Sequence, residues 1–251
     1  MTHHPSGSYR RRLRMVITAP DTVEGGLEDD FHHFMVTLRH DGERVTSAEA
    51  RAVRWPWTTC PDAAAPLRAI EGMLLSPRCL SVGDHADPRL NCTHMFDLAG
   101  LAVAHAARGG DVGTTRQYDV EIPYGPQASG QRVVRLARDG EPWLEWTLAQ
   151  RGIASPPPYS EQSWRGGFLR WADRTLDVED AEAAIVLRRA CDIGMGRGMD
   201  LDAVDRADEL EPLMAGVCYT MQPGPIRVSL RNKGTIRDFD AEPDALLADG
   251  P

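Results

Sequence analysis

The chain has 251 residues, 42% of them hydrophobic and 26% charged, with a formal charge of −9. That acidity argues against a nucleic-acid surface, whose affinity rests on Lys and Arg neutralising phosphates. No apolar run approaches the ~20 residues that span a bilayer, and no apolar stretch follows the basic N-terminus as a secretory signal would require.

The composition is that of a globular protein long enough for one large domain or two small ones. Five cysteines (Cys60, Cys79, Cys92, Cys191, Cys218) are an odd number spread through the chain. They indicate reduced thiols and a cytoplasmic location, not a disulfide framework.

Residues 1–8 read as a disordered lead-in. A first strand is expected over 10–17, where the run Tyr9-Arg-Arg-Arg-Leu-Arg14 reads as a solvated edge, with a local basic patch as the competing reading. A loop over 18–26 leads to the stretch 27–39, Leu-Glu-Asp-Asp-Phe-His-His-Phe-Met-Val-Thr-Leu-Arg. Its period-two pattern predicts one strand. Asp30 and His32 then extend the Phe34–Val36–Leu38 face, and Asp29, Phe31 and His33 lie on the other. Asp41-Gly42 turns this strand into a return strand over 44–54, which Trp55-Pro56-Trp57 ends.

Past Thr58 the sequence predicts a helix that ends near Gly72, with Pro66 placing its start at Ala63 or Ala65 or leaving 60–64 as a separate turn. A loop over 76–91 follows. The next helix runs from Cys92 to about Ala107, where Gly109-Gly110 ends it. On it His94, Leu98, Leu101 and His105 share a face, with Asp97 at the edge.

In the second half, strict alternation over 116–122 predicts a strand. A hairpin over 132–148 turns at Asp139-Gly140, and its likeness to the first hairpin reads as convergence on a common turn, with internal duplication as the alternative. Pro156-Pro157-Pro158 marks a loop, and 161–175 is rich in Trp and Arg (Trp164, Arg165, Arg170, Trp171). The most secure helix spans 177–193, with acids at its start and Gly194 and Gly196 at its end. A shorter helix over 202–214, a strand or turn at 216–223, a short strand at 226–230 and a frayed acidic tail after Phe239 complete the chain.

The fold expected is α+β: antiparallel sheet built from hairpins in each half, packed with a few helices. The halves 9–110 and 111–240 are expected to pack as one compact unit between disordered tails at 1–8 and 241–251.

The candidate chemistry lies mostly in the first half. A carboxylate near a histidine can orient and tune it, so Asp30 with His32 suggests an acid–base pair; a solvated strand end is the plain reading. His33 and His94 are candidate acids or substrate ligands. His94 sits in a first helical turn, where the dipole favours neutral imidazole. His105 reads as a satisfied core residue. Cys60 at a helix start would be reactive if its pKa were lowered, and is otherwise a small buried residue. Cys60, Cys92 and His94, with Cys79 as a substitute thiol and Asp84, His85 and Asp87 nearby, form a possible zinc-like set, although no paired Cys-x-x-Cys supports it. Trp55, Trp57, Tyr219, Cys60 and Asp97 are candidate substrate-binding residues. Gly194-Met-Gly-Arg-Gly198 follows a helix and so reads as a terminator, not a phosphate loop. No Gly-x-Ser-x-Gly elbow or His-Glu-x-x-His helix is present.

The segments LEDDFHHFMVTLRHDG, RWPWTTCPDAAAPL, CTHMFDLAG, GVCYTMQP and IRDF together resemble a bacterial family known as a domain of unknown function (number twenty-eight eighty-nine). The likeness runs from about Tyr9 to Phe239 and carries over no catalytic residue. What it implies is a part in bacterial small-molecule catabolism, including that of aromatic compounds.

The function expected is therefore a small-molecule enzyme, a lyase or hydrolase acting on an aromatic compound by acid–base chemistry without a cofactor. The alternatives are a metal-dependent enzyme or carrier using zinc or another divalent ion, and a non-catalytic accessory subunit that makes contact through 164–171. The partner expected is a small molecule, with neither nucleic acid nor membrane; a homo-oligomer is open.

Overall fold

The structure is a computed structural model that describes residues 6–125, 130–149, 152–164 and 166–251. Residues 1–5 of the lead-in expected over 1–8, and the interface candidate Arg165, lie outside the described residues.

Among the described residues, eight strands form a single sheet: β1 (Gly7–Ala19), β2 (Thr22–Asp29), β3 (His33–His40), β4 (Val45–Arg54), β5 (Thr115–Tyr124), β6 (Arg132–Arg138), β7 (Glu141–Ala149) and β8 (Gly152–Ser155). Their order is β4-β3-β2-β1-β5-β6-β7-β8, and every pairing is antiparallel. The helices are α1 (Val82–His85), α2 (Thr93–Arg108), α3 (Phe168–Thr175), α4 (Val178–Gly194) and α5 (Glu211–Met214), with several 3-10 turns between them. The α+β expectation holds. Four strands precede α2 and four more precede α4, so the order of elements repeats. The two Asp-Gly turns do not occupy matching places in that repeat: one joins β3 to β4, the other β6 to β7.

β1 is a central strand, not the solvated edge its arginines suggested. Alternation explains how a run of arginines enters a sheet. Tyr9, Arg11, Leu13, Met15 and Ile17 are buried on the face that α2 and α4 cover. Arg10, Arg12 and Arg14 point to the opposite face and meet Glu121, Asp119 and Gln117 of β5 at 3.4, 2.6 and 2.7 Å. Pairing β1 with β5 in register Leu13↔Tyr118 joins the two halves of the chain through one continuous sheet.

Several expected elements differ. The helix expected up to Gly72 is two 3-10 turns, Cys60–Ala64 and Pro66–Ile70, each with a proline at its start. The helix expected over 202–214 is reduced to the 3-10 turn Ala207–Leu210 and the single turn of α5, which begins beside Pro212. The strand expected at 226–230 is a 3-10 turn, Pro225–Arg227, followed by isolated bridges from Leu230 to Arg206 and from Arg231 to Trp57. Parts of both tails expected to be disordered are described. Ser8 is buried in β1, and at the other end Leu246 and Leu247 are buried against the charged face of the sheet. There the Leu247 N–H donates to Glu28 Oε2 at 2.8 Å, and Arg12 Nη1 donates to the Leu246 carbonyl at 3.1 Å.

α2 crosses the sheet very close to the loop before it. A Cβ added at Gly100 would lie 2.1 Å from the carbonyl oxygen of Cys79. In an open helix Gly→Ala gains about 1 kcal/mol. Gly100→Ala is predicted to do the reverse, lowering the urea midpoint by the equivalent of about 1–3 kcal/mol of overpacking.

Candidate functional site

The stretch read as one strand is broken at its most polar point. β2 ends at Asp29 and β3 begins at His33. The Asp29 N–H donates to the His32 carbonyl at 2.9 Å and closes a tight turn over Asp30 and Phe31. The Asp29 side chain makes that turn. Its Oδ1 accepts the backbone N–H groups of Phe31 and His32, both at 2.8 Å. Asp is favoured in turns because its side chain bonds the backbone two or three residues on. The turn also reverses the expected faces: Asp29, not Asp30, lies beside His32.

Asp29 is completely buried and its oxygens are fully engaged. Oδ1 also meets His32 Nδ1 at 3.0 Å, and Oδ2 accepts the Tyr9 hydroxyl at 2.8 Å with Arg11 Nε at 3.6 Å. Burial alone would raise this carboxyl; the charge and hydrogen bond of His32, joined by Arg11, hold it well below the usual carboxylate range. An ionised carboxylate only accepts hydrogen bonds, so Nδ1 of His32 carries the proton. Nε2 is then the nitrogen of neutral His32 with a free lone pair.

His94 enters from the second position of α2, behind the cap residue Cys92. Its ring stacks on His32 with centroids 3.8 Å apart and planes inclined by 30°. Phe34 backs both rings at 5.7 Å. Burial, then the neighbouring charges of His32 and Arg11, push His94 well below the ordinary histidine range, so it is neutral at pH 7. Its Nδ1 lies 3.9 Å from the Cys92 thiol, and its buried Nε2 has no hydrogen-bond partner. A proton reaching the stacked pair is balanced by Asp29 if it rests on His32, whereas His94 has no carboxylate against it.

The structure thus brings His32 and His94 together and adds Asp29, Tyr9 and Arg11. It separates the other candidates. Asp30 turns away, and Arg197 Nη1 donates to its Oδ2 at 2.6 Å. Arg197 lies in the glycine-rich terminator of α4, to which sequence reasoning gave no partner. His33 sits across from Glu28, Nδ1 to Oε1 at 3.5 Å, and burial lowers its pKa. Asp97 pairs with Arg189 of α4 at 3.1 Å, and His105 Nε2 lies 3.1 Å from the Thr114 carbonyl.

Trp57, Cys60 and Cys92 belong to an apolar cluster with Phe34 and Met95, against which Trp55 and Tyr219 pack. They back the histidine pair as core. A groove of about 590 Å³ lies on the charged face between Arg10, Glu121, Arg135 and Trp143, and neither His32 nor His94 lines it. Burial pushes the Cys60 thiol up to about 12, with Thr220 as its hydrogen-bond partner, which fits the small buried residue and not the helix-start activation weighed beside it. Cys92 is likewise raised by burial.

Among the described residues, the group whose ligand atoms could hold a metal ion is Asp29, His32 and His94, all within 4.8 Å of one another. Cys60, Cys92 and His94 do not form such a group. The Asp–His–His set fits an ion poorly. Both oxygens of Asp29 already have donors, Arg11 supplies a positive charge beside it, and stacked rings direct their lone pairs alongside one another instead of toward a common point. Compared with known proteins, the chain matches no family model and no curated protein. No described helix is long and apolar enough to cross a membrane.

Burial pushes the Asp30 carboxyl up to about 7, a rise that Arg197 limits. An unfolded carboxyl titrates near 4. Between those values the folded protein keeps a proton that the unfolded chain has lost, so this contribution favours folding at low pH and is lost as pH rises through 7. Asp30→Asn is predicted to remove that dependence: relative to the parent protein, its unfolding midpoint should rise between pH 5 and pH 8.

Proposed function

We propose that this chain is an enzyme that acts on a small molecule by acid–base chemistry, with His32 as the base. The observation that carries the reading is the 3.0 Å contact between His32 Nδ1 and a buried, ionised Asp29. A carboxylate on one ring nitrogen fixes the tautomer, frees the other nitrogen to take a proton and balances the imidazolium that results. His94, neutral and with a buried, unpartnered Nε2, is the second polar group of the pair. A lyase or hydrolytic step suits such a pair. An aromatic substrate suits the catabolic role implied by the resemblance.

The test is a turnover screen of aromatic acids and esters with the purified protein. His32→Asn should lower conversion about 10²–10⁴-fold, and its thermal midpoint should stay near that of the parent. Conversion that survives the substitution contradicts the assignment. A second reading, a divalent ion held by Asp29, His32 and His94, is favoured only by their spacing and by the unpartnered Nε2. It requires stoichiometric metal by elemental analysis and its loss in His94→Gln.

A further inference from the structure

We propose that Arg54 is the positioning residue of the Asp29–His32 pair, an inference that rests on the acid–base reading of that pair. The turn is buried, so its carbonyl groups need donors; the Asp29 N–H serves that of His32 at 2.9 Å and the Arg237 N–H serves that of Asp30 at 2.8 Å. Arg54 adds side-chain donors to both of these and to the carbonyl of Asp29. Nη2 donates to the carbonyls of Asp29 at 2.6 Å and His32 at 3.2 Å, and Nη1 donates to that of Asp30 at 3.0 Å. The same guanidinium reaches Glu28 Oε1 at 3.1 Å and the Thr235 carbonyl at 3.1 Å. One side chain therefore holds three of the four turn residues from outside and ties them to the segment that crosses behind.

Local structure aims it there. Arg54 is the last residue of β4, and the β3–β4 register slips at this point, with His33 opposite Arg54 but Phe34 opposite Ala52. The extra residue, Val53, is a bulge, and bulges re-aim side chains at the ends of strands. Arginine suits the task because its planar fork presents five N–H donors in fixed directions, whereas lysine offers three from one point. Its bonds go to the backbone of the turn, to Glu28 and to Thr235, so it acts on the imidazole only through the position of the chain.

Nitrogen-15 NMR of the histidine rings tests this without a substrate. In the parent protein His32 should show a protonated Nδ1 and a bare Nε2. In Arg54→Met that signature should be lost to an average of the two tautomers. Arg54→Lys keeps the charge and should show the same loss, while Glu28→Gln, which removes the ion pair but not the carbonyl contacts, should retain the signature. A parent spectrum preserved in folded Arg54→Lys, or a signature lost equally in Glu28→Gln, overturns the positioning role and leaves the pair standing. Absence of the signature from the parent protein instead removes the pair, and both readings with it.

Discussion

A fully buried carboxylate is the constraint around which the rest of this end of the molecule is arranged. Removing Asp29 from water costs several kcal/mol unless its charge is compensated by hydrogen bonds and an opposite charge. The structure provides both, from two directions: backbone N–H groups and His32 from its own turn, and Tyr9 and Arg11 from the neighbouring strand. The turn, the central strand β1 and the start of α2 therefore meet at one point. The same compensation that makes the carboxylate tolerable also fixes the tautomer of the imidazole beside it. Stability and chemistry share one set of contacts.

The two long helices are locked over this site by reciprocal ion pairs. Asp97 of α2 meets Arg189 of α4, and Glu182 of α4 meets Arg108 of α2 at 2.6 Å. Beside the C-terminal end of α2, Glu182 also accepts the Tyr118 hydroxyl at 2.5 Å, and Glu179 is ringed by Arg108, Arg116 and Arg138. The repeated order of strands and helix thus places a polar cluster at the start of each long helix. The cluster at α4 is carboxylates answered by guanidinium groups, which remain charged at any ordinary pH. The one at α2 contains two imidazoles, one of them with an unpartnered Nε2. Imidazole, unlike guanidinium, can both take up and release a proton.

Much of the fold was legible because period-two alternation and Asp-Gly turns are local signals. Both hairpins and the strand at 116–122 follow from them, and the two long helices from shared apolar faces, acids at a start and terminating glycines. Elements rich in proline were misread, since 60–72, 207–214 and 225–227 have helical content but are too interrupted for a full helix. The site was legible in part. His32 and His94, both named as candidates, lie together in the structure, but strand alternation does not survive the Asp29-Asp-Phe-His32 turn, and it is Asp29, not Asp30, that lies beside His32. The side-chain–backbone bonding of Asp29 is what alternation cannot foresee. Arg11 was lost inside a run read by charge alone; the spacing Tyr9, Arg11, Leu13, Met15 carried the signal that one arginine of the run faces the core. The links from Arg54 and Arg197 to the turn span residues distant in the chain, and no local pattern announces them.

The central claim is that Asp29 makes His32 a base that a small molecule can reach. Residue-resolved labelling of the native protein with diethyl pyrocarbonate, read by mass spectrometry from pH 5 to 8, tests it most directly, since the reagent requires a neutral and accessible ring nitrogen. The account predicts that His32 is labelled in the folded state and that the rate falls when Asp29 is replaced by Asn. A His32 that stays unlabelled at every pH until the protein unfolds would contradict it.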